Sequence, residues 1–355
     1  MKKKLLPALI VTGLIILVVI IMGITALINK YTPTKKTEDL KEYFNISSDD
    51  EAALIVDNEL SDYKAKIIDK KIYVDYKFVH DSLNSRFYWD ANENVLLYTT
   101  ASDIISAAAD SNSYSVTKQT NDFGYPIVKA TSDSALIALD YVKQYSNITF
   151  KSYDDPARIV ITSKWDEIDS ATVSKSTQVR VKGGIKSPIL KEVKKDDKIT
   201  ILDSGDKWDK VATEDGVIGY IKRKALSESK KTKLTNPDYE EETFTHIKKD
   251  KDICLAWNQV TSQSANSKVP QVISSTKGIN VMSPTWFYLN DNNGNLADIA
   301  SKDYVSYCHS QGIEVWGLFS NFENTDVDAA YVLTHTSTRT TLINQIMSAA
   351  FNYEL

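Results

Sequence analysis

Cysteine is scarce in this sequence: Cys254 and Cys308 are the two in 355 residues, and no C-x-x-C occurs. That excludes a disulfide framework, a four-cysteine zinc site and a thioredoxin-type redox pair. Both thiols lie in apolar stretches, where a free cysteine packs as a small hydrophobe, so both are expected to be buried. Histidine is nearly as rare, with His80, His246, His309 and His335 as the full set. None falls at the spacing of a zinc site such as H-E-x-x-H, so neither a metal nor a cofactor is expected. The chain has no P-loop, no dinucleotide fingerprint and no G-x-S-x-G elbow, which removes the commonest nucleotide and serine-hydrolase chemistries. With 42 basic and 47 acidic residues the net charge is −5. No basic face points to nucleic acid, and the mild acidity selects no partner.

Long apolar runs are also missing, with one exception. "MKKK" is followed by "LLPALIVTGLIILVVIIMGITALI", residues 5–28, without a charge. At about 1.5 Å per residue this run reaches about 36 Å as a helix, enough to cross a bilayer. It is too long for the core of a secretory signal, and "NKYTPTKK" after it offers no A-x-A-like site. It reads as an uncleaved signal anchor held by the lipid membrane, with Lys2, Lys3 and Lys4 on the cytoplasmic side and residues from about 37 outside. A cleaved signal peptide is the alternative, and it too exports the chain.

Three segments follow residues 1–36. Residues 38–165 carry a weak internal repeat. "KIYVDYKFVHDSLNSRFYWDANENVLLYTT" (71–100) and "YPIVKATSDSALIALDYVKQYSNITFKSYDDPARIVITS" (125–163) each run strand, helix, hairpin, with "DANEN" and "YDDPAR" as turns. The helix of the second copy is placed at "SALIALDYVKQY". Residues 170–228 alternate with period 2 in short stretches separated by Gly- or Asp-rich turns, an all-β pattern. Residues 229–243 are polar and charged and read as a linker. From 244 to 355 the pattern becomes alternating strand and helix. "KDICLAWNQV", "GINVMSPTWFYL" (278–289) and "IEVWGLF" (313–319) are apolar runs bounded by polar residues, as buried parallel strands are. "DNNGN" (291–295) has its glycine too early for an EF-hand and reads as a turn. "SKDYVSYCHSQG" is a helix with Gly312 at C′. The terminal helix should bury Leu342, Ile343, Ile346, Met347 and Ala350 on one stripe.

These residues carry three resemblances. Residues 38–165 resemble the α+β stalk domain named after the N-terminal domain of copper amine oxidases, without a copper site. Val179, Arg180, Val181, Gly205, Trp208, Val211, Gly216, Gly219, Tyr220 and Ile221 follow the pattern of the bacterial SH3-like domain of cell-wall proteins. That resemblance implies a small barrel in which Trp208 and Tyr220 bind wall peptides or fill the core of a spacer. "DICLAWNQV", "GINVMSPTWFYL" and "YVSYCHSQGIEVWGLFSN" resemble the first three β/α units of glycoside hydrolase family 18, in its bacterial spore- and wall-associated branch.

The implied architecture is multidomain: a transmembrane helix, an α+β stalk, an SH3-like barrel, and the opening units of a (β/α)8 barrel. The implied activity is substrate-assisted, retaining cleavage of peptidoglycan or another N-acetylglucosamine glycan, at the surface of a Gram-positive-type bacterium. In the family the catalytic D-x-x-D-x-D-x-E lies on the fourth strand, which is expected to begin beyond "FNYEL", so no catalytic residue is expected within the chain. The acidic "ENTDVD" (Glu323, Asp326, Asp328) reads as solvated loop charge. Sites of such barrels lie at the carboxyl ends of the strands. There Trp286, Phe287, Asn258 and Asn321 are the expected sugar-binding residues, by ring stacking and amide hydrogen bonds. Trp257 and Trp316, inside apolar runs, are expected in the core. The alternative is a non-catalytic wall-binding or scaffolding protein.

Overall fold

The computed structural model describes residues 2–246 and 248–355. The N-terminal run forms one helix, Lys2–Tyr31, and its stretch Ile10–Tyr31 is long and apolar enough to cross a membrane. The large apolar side chains from Ile10 to Ile28 are all at least half exposed, as a surface meant for lipid would be. The Thr25 hydroxyl is satisfied inside the helix, donating to the Ile21 carbonyl at 2.8 Å. After this helix the chain is mixed α/β, with several sheets and short helices. It divides into two compact units, Met1–Asn84 with Leu136–Glu241, and Ser85–Ala135 with Glu242–Leu355.

The first unit holds two sheets. In one, Glu51–Val56 pairs in parallel with Arg158–Thr162 and antiparallel with Glu59–Ile68. Lys71–Asp75 and Ala135–Ala138 extend it on one side, and Thr149–Tyr153 closes the other. The expected helix at "SALIALDYVKQY" is only half right. Its first residues form the strand Ala135–Ala138, and only Leu139–Gln144 is helical. Hydrogen bonding to Lys71–Asp75 holds the alternating "ALIA" extended.

The other sheet runs Ile189–Val193, Thr177–Arg180, Ile218–Lys222, Trp208–Thr213, Lys198–Asp203, Glu167–Thr172 and Lys230–Lys233, in that order. The last strand lies in the stretch expected to be linker. It pairs antiparallel with Glu167–Thr172, and its exposed lysines suit an edge that must not recruit another strand. Among the described residues no sheet closes on itself. One apolar cluster joins Phe44, Ala53 and Ile55 to Val173, Val179, Leu190, Val193, Ile199, Val211, Val217 and Ile221, so the two sheets of this unit share a core. Gly216, at φ +81°, sits at their contact, where an added Cβ would lie 2.8 Å from Val160 Cγ2. Buried Arg158 fastens the same place, donating to the Asp215 carbonyl at 2.6 Å and to the Asp215 carboxylate, which Lys191 also meets.

The second unit also holds two sheets. Phe87–Asp90, Val95–Thr99, Ile104–Ala108, Ser113–Val116 and Gln119–Asp122 form an antiparallel meander. Phe87, Trp89, Leu96, Tyr98, Ile105 and Ala107 bury one face of it, the period-2 signature of a one-sided sheet. The two halves of the sequence repeat thus part company: this hairpin belongs to the second unit, and the Thr149–Thr162 hairpin to the first.

The parallel part centres on Val281–Leu289, flanked by Leu255–Asn258 on one side and by Glu314–Val315 and Leu318–Ser320 on the other. The expected third strand is broken at Trp316–Gly317, where Gly317 meets the Phe287 ring too closely for a Cβ (2.6 Å). Lys302–Ser310 is capped by the Ser301 hydroxyl and stopped by Gly312 at φ +71°. The terminal helix, Thr336–Tyr353, buries Leu342 and Ala349, while Ile343, Met347 and Phe351 are exposed. The expected stripe was therefore rotated, because the face seated on the unit is the one carrying Gln345 and Leu342. Gln345 exchanges hydrogen bonds with the Leu296 N–H and the Asn295 side chain.

Candidate functional site

Parallel strands end their side-chain rows together, and loops leaving those ends can enclose a cleft. Here Asn258, the last residue of the first strand, pairs with Pro284, and Ser320, the last of the third, with Tyr288, so the first strand stops short and the other two run past it at their carboxyl ends. The Thr285 hydroxyl pins the loop after the first strand, accepting from the Val260 N–H at 2.9 Å and donating to the Val260 carbonyl at 3.0 Å. Above it opens a cleft of about 770 Å³ whose walls include Trp257, Tyr288, Phe322, Gln259, Asn290 and Glu323. Trp257 is 76% exposed and Phe322 74%, so their ring faces are free. Glu323 accepts a hydrogen bond from the Ser320 hydroxyl at the end of the third strand. Aromatic faces beside amides and one carboxylate suit a ligand with both apolar faces and hydroxyl groups.

The residues expected at this site divide sharply. Trp286 is fully buried, and its indole N–H donates to Asn266 Oδ1 at 2.8 Å. Asn266 in turn donates to the Gln263 and Ile299 carbonyls. Tyr304 packs on Trp286 edge to face at 4.9 Å, so no ligand reaches that ring. Phe287 is 4% exposed in the same cluster. Asn258 is half-buried and spends its amide on the Tyr304 hydroxyl at 2.7 Å. Trp286 and Phe287 thus lie in the core, out of a ligand's reach, and Asn258 is placed as a support for Tyr304. Asn321 is exposed in the loop that carries Phe322. Trp257 and Trp316, expected in the core, are instead 76% and 37% exposed, Trp257 on an uncovered strand face and Trp316 in the break of the third strand. Phe322 was visible in the sequence as an aromatic inside the polar run "SNFENTD", a place where burial gives no reason for a ring. Of the acidic loop, Asp328 caps the helix Ala329–Thr334 by accepting from the Tyr331 N–H, whereas Glu323 belongs to the cleft.

In the first unit Trp208 and Tyr220 are half-buried on adjacent strands, both packed against Gly183. The Lys222 ammonium lies 5.7 Å from the Trp208 ring centroid. The two cysteines also differ. Cys308 is buried, and burial pushes its thiol up to about 11; Cys254 is exposed, against expectation, at the mouth of the first strand. Among the described residues no group of three or more His, Cys, Asp or Glu side chains is placed to hold a metal ion.

No family model and no curated protein matches the chain. Among solved structures, NlpC1 from Trichomonas vaginalis is similar over 40% of this chain and 44% of its own, at 14% identity. Its TM-score is 0.16, too low to bear on fold or function. The chain spans less than half the length of that structure.

Proposed function

We propose that this chain is the membrane-anchored, extracytoplasmic glycan-binding portion of a glycoside hydrolase of the family 18 type, acting on peptidoglycan or another N-acetylglucosamine polymer. The observation that carries the proposal is the cleft at the carboxyl ends of the parallel strands, with Trp257 and Phe322 exposed beside Gln259, Asn290 and Glu323. Exposed rings in a polar concavity cost solvation free energy unless a ligand covers them, and sugar rings present the matching apolar faces. The sequence motifs quoted above support the family. The apolar N-terminal helix supports anchoring in a cell membrane, and the sequence resemblance to the wall-associated branch is what suggests a Gram-positive-type bacterium. The strands from Thr177 to Lys222 fit an SH3-like wall module, with Trp208 and Tyr220 bordering it.

Substrate-assisted cleavage needs a glutamic acid to protonate the leaving oxygen and an aspartate to hold the acetamido group. The cleft offers one carboxylate, Glu323, so the role proposed for these residues is to bind and orient glycan; in the family the acid pair belongs to D-x-x-D-x-D-x-E. Reading the gene beyond codon 355 tests the enzyme class. That motif in frame supports the hydrolase, and a fourth strand without its glutamate would make the protein a non-catalytic wall binder.

A further inference from the structure

The apolar helix is not followed by a slack linker. A helix end leaves its last carbonyls without partners. Here Lys186 supplies them, its ammonium donating to the Thr32 carbonyl at 2.7 Å and also to that of Asn29. The residues after the helix then run along the sheet edge. The Thr34 N–H donates to the Ile185 carbonyl, the Ile189 N–H to Lys36, and the Glu38 N–H to Ile189, each at 2.8 Å. Buried Arg180 reaches the Thr34 carbonyl at 3.3 Å. The loop from Lys182 to Lys186 therefore stands at the last turn of the helix. Where residues 5–28 fill the hydrocarbon, that turn lies among the lipid headgroups, and the loop lies there with it.

Charge of one sign collects at this level. Lys30, Lys35 and Lys36 border the helix end, Lys182 and Lys186 stand on the loop, and all five are exposed. Neither 2–37 nor 174–191 contains an aspartate or glutamate. Tyr31, 65% exposed, adds a ring of the kind that settles at a membrane interface.

We propose that Lys182 and Lys186, with Lys30, Lys35 and Lys36, form a docking surface for anionic phospholipid headgroups. It seats the first unit directly on the bilayer. The inference rests on the helix being membrane-spanning, and it reverses the order that the sequence suggests. The sheet of residues 167–233, third along the chain, is the one held at the membrane.

The test uses the full chain in nanodiscs of phosphatidylcholine alone or mixed with phosphatidylglycerol. A nitroxide is placed by Gly184→Cys in a Cys254→Ser background, since nothing lies within 4 Å of a Cβ at Gly184. The readout is its collision rate with a water-soluble paramagnetic reagent. The label is expected to be shielded in the anionic discs, open in the neutral ones, and released by high salt. Each lysine near an anionic surface is worth about fivefold in the docking equilibrium, so replacing Lys35, Lys36 and Lys182 by Gln should shift it by about 10² and expose the label. A second label, Val18→Cys, separates the two claims. If Val18 is shielded from water while Gly184 is equally open in both discs, the docking surface is overturned and the anchor stands. If Val18 is open to water, the membrane reading falls first and the docking surface with it. Shielding of Gly184 only on adding poly(glycerol phosphate) would also overturn the proposal, assigning the lysines to a wall polyanion.

Discussion

Trp257 and Trp286 sit on paired strands, and their surroundings give them opposite roles. Trp286 is enclosed, with its N–H satisfied by Asn266. Trp286→Phe would leave the Asn266 carbonyl oxygen unpaired in the core, and an expected loss of about 2 kcal/mol should lower the denaturation midpoint. Trp257→Ala touches an exposed ring and should change stability by less than about 0.5 kcal/mol. The thiols offer a simpler check. An alkylating reagent should modify Cys254 in the native protein and reach Cys308 only after unfolding. At this scale the sequence misled because apolar neighbours do not say which face of a strand is covered. Leu255–Asn258 pairs on one side with Val281–Leu289, and the Trp257 face is left to solvent. Phe322, which the reading of the sequence passed over, could have been found by the opposite logic, a ring with no apolar company.

Elements in this chain are finished by distant partners. The helix Thr336–Tyr353 has no cap of its own from His335. Its first N–H groups are taken by the turn after Phe87–Asp90: Asp90 accepts from the N–H and hydroxyl of Thr336, and Glu93 from those of Ser337. The turn "DANEN" was legible as a turn, but nothing local reveals that it caps a helix some 240 residues later. Asp90→Ala should cost about 1–2 kcal/mol, the usual range for a lost cap. Burial pushes the Asp90 carboxyl up, but its bonds from Thr336 and from the Asn92 and Glu93 N–H groups outweigh burial and hold it below the ordinary range. A depressed carboxyl stabilises the fold above its unfolded value of about 4, and that stability is lost as pH falls through the folded value. Thermal midpoints should therefore hold steady from pH 7 to about 5 and then drop, with a shallower drop in Asp90→Asn.

For the whole molecule, the sequence shows where β-rich stretches begin and end but not which of them share a core. Ala53 and Ile55 are ordinary apolar positions in one sheet, and Val211 and Ile221 in another; only the structure joins them. If that core is one body, amides of Glu51–Val56 and Ile218–Lys222 should lose hydrogen-exchange protection in the same opening event. Arg158→Met, which takes the guanidinium from the Asp215 carboxylate and carbonyl and leaves Lys191 and Thr213 on the carboxylate, should destabilise both sheets together by about 1–3 kcal/mol.

The central claim is that the cleft holds glycan. Its most direct test is a fluorescence titration of the intact, nanodisc-embedded chain with soluble N-acetylglucosamine oligomers, repeated on Trp257→Ala and Phe322→Ala. Saturable quenching in the parent, with affinity weakened about tenfold or more in either variant (about 1.4 kcal/mol), is the expected result. Unchanged affinity in both variants, or no binding by a parent that is fully folded, would contradict it.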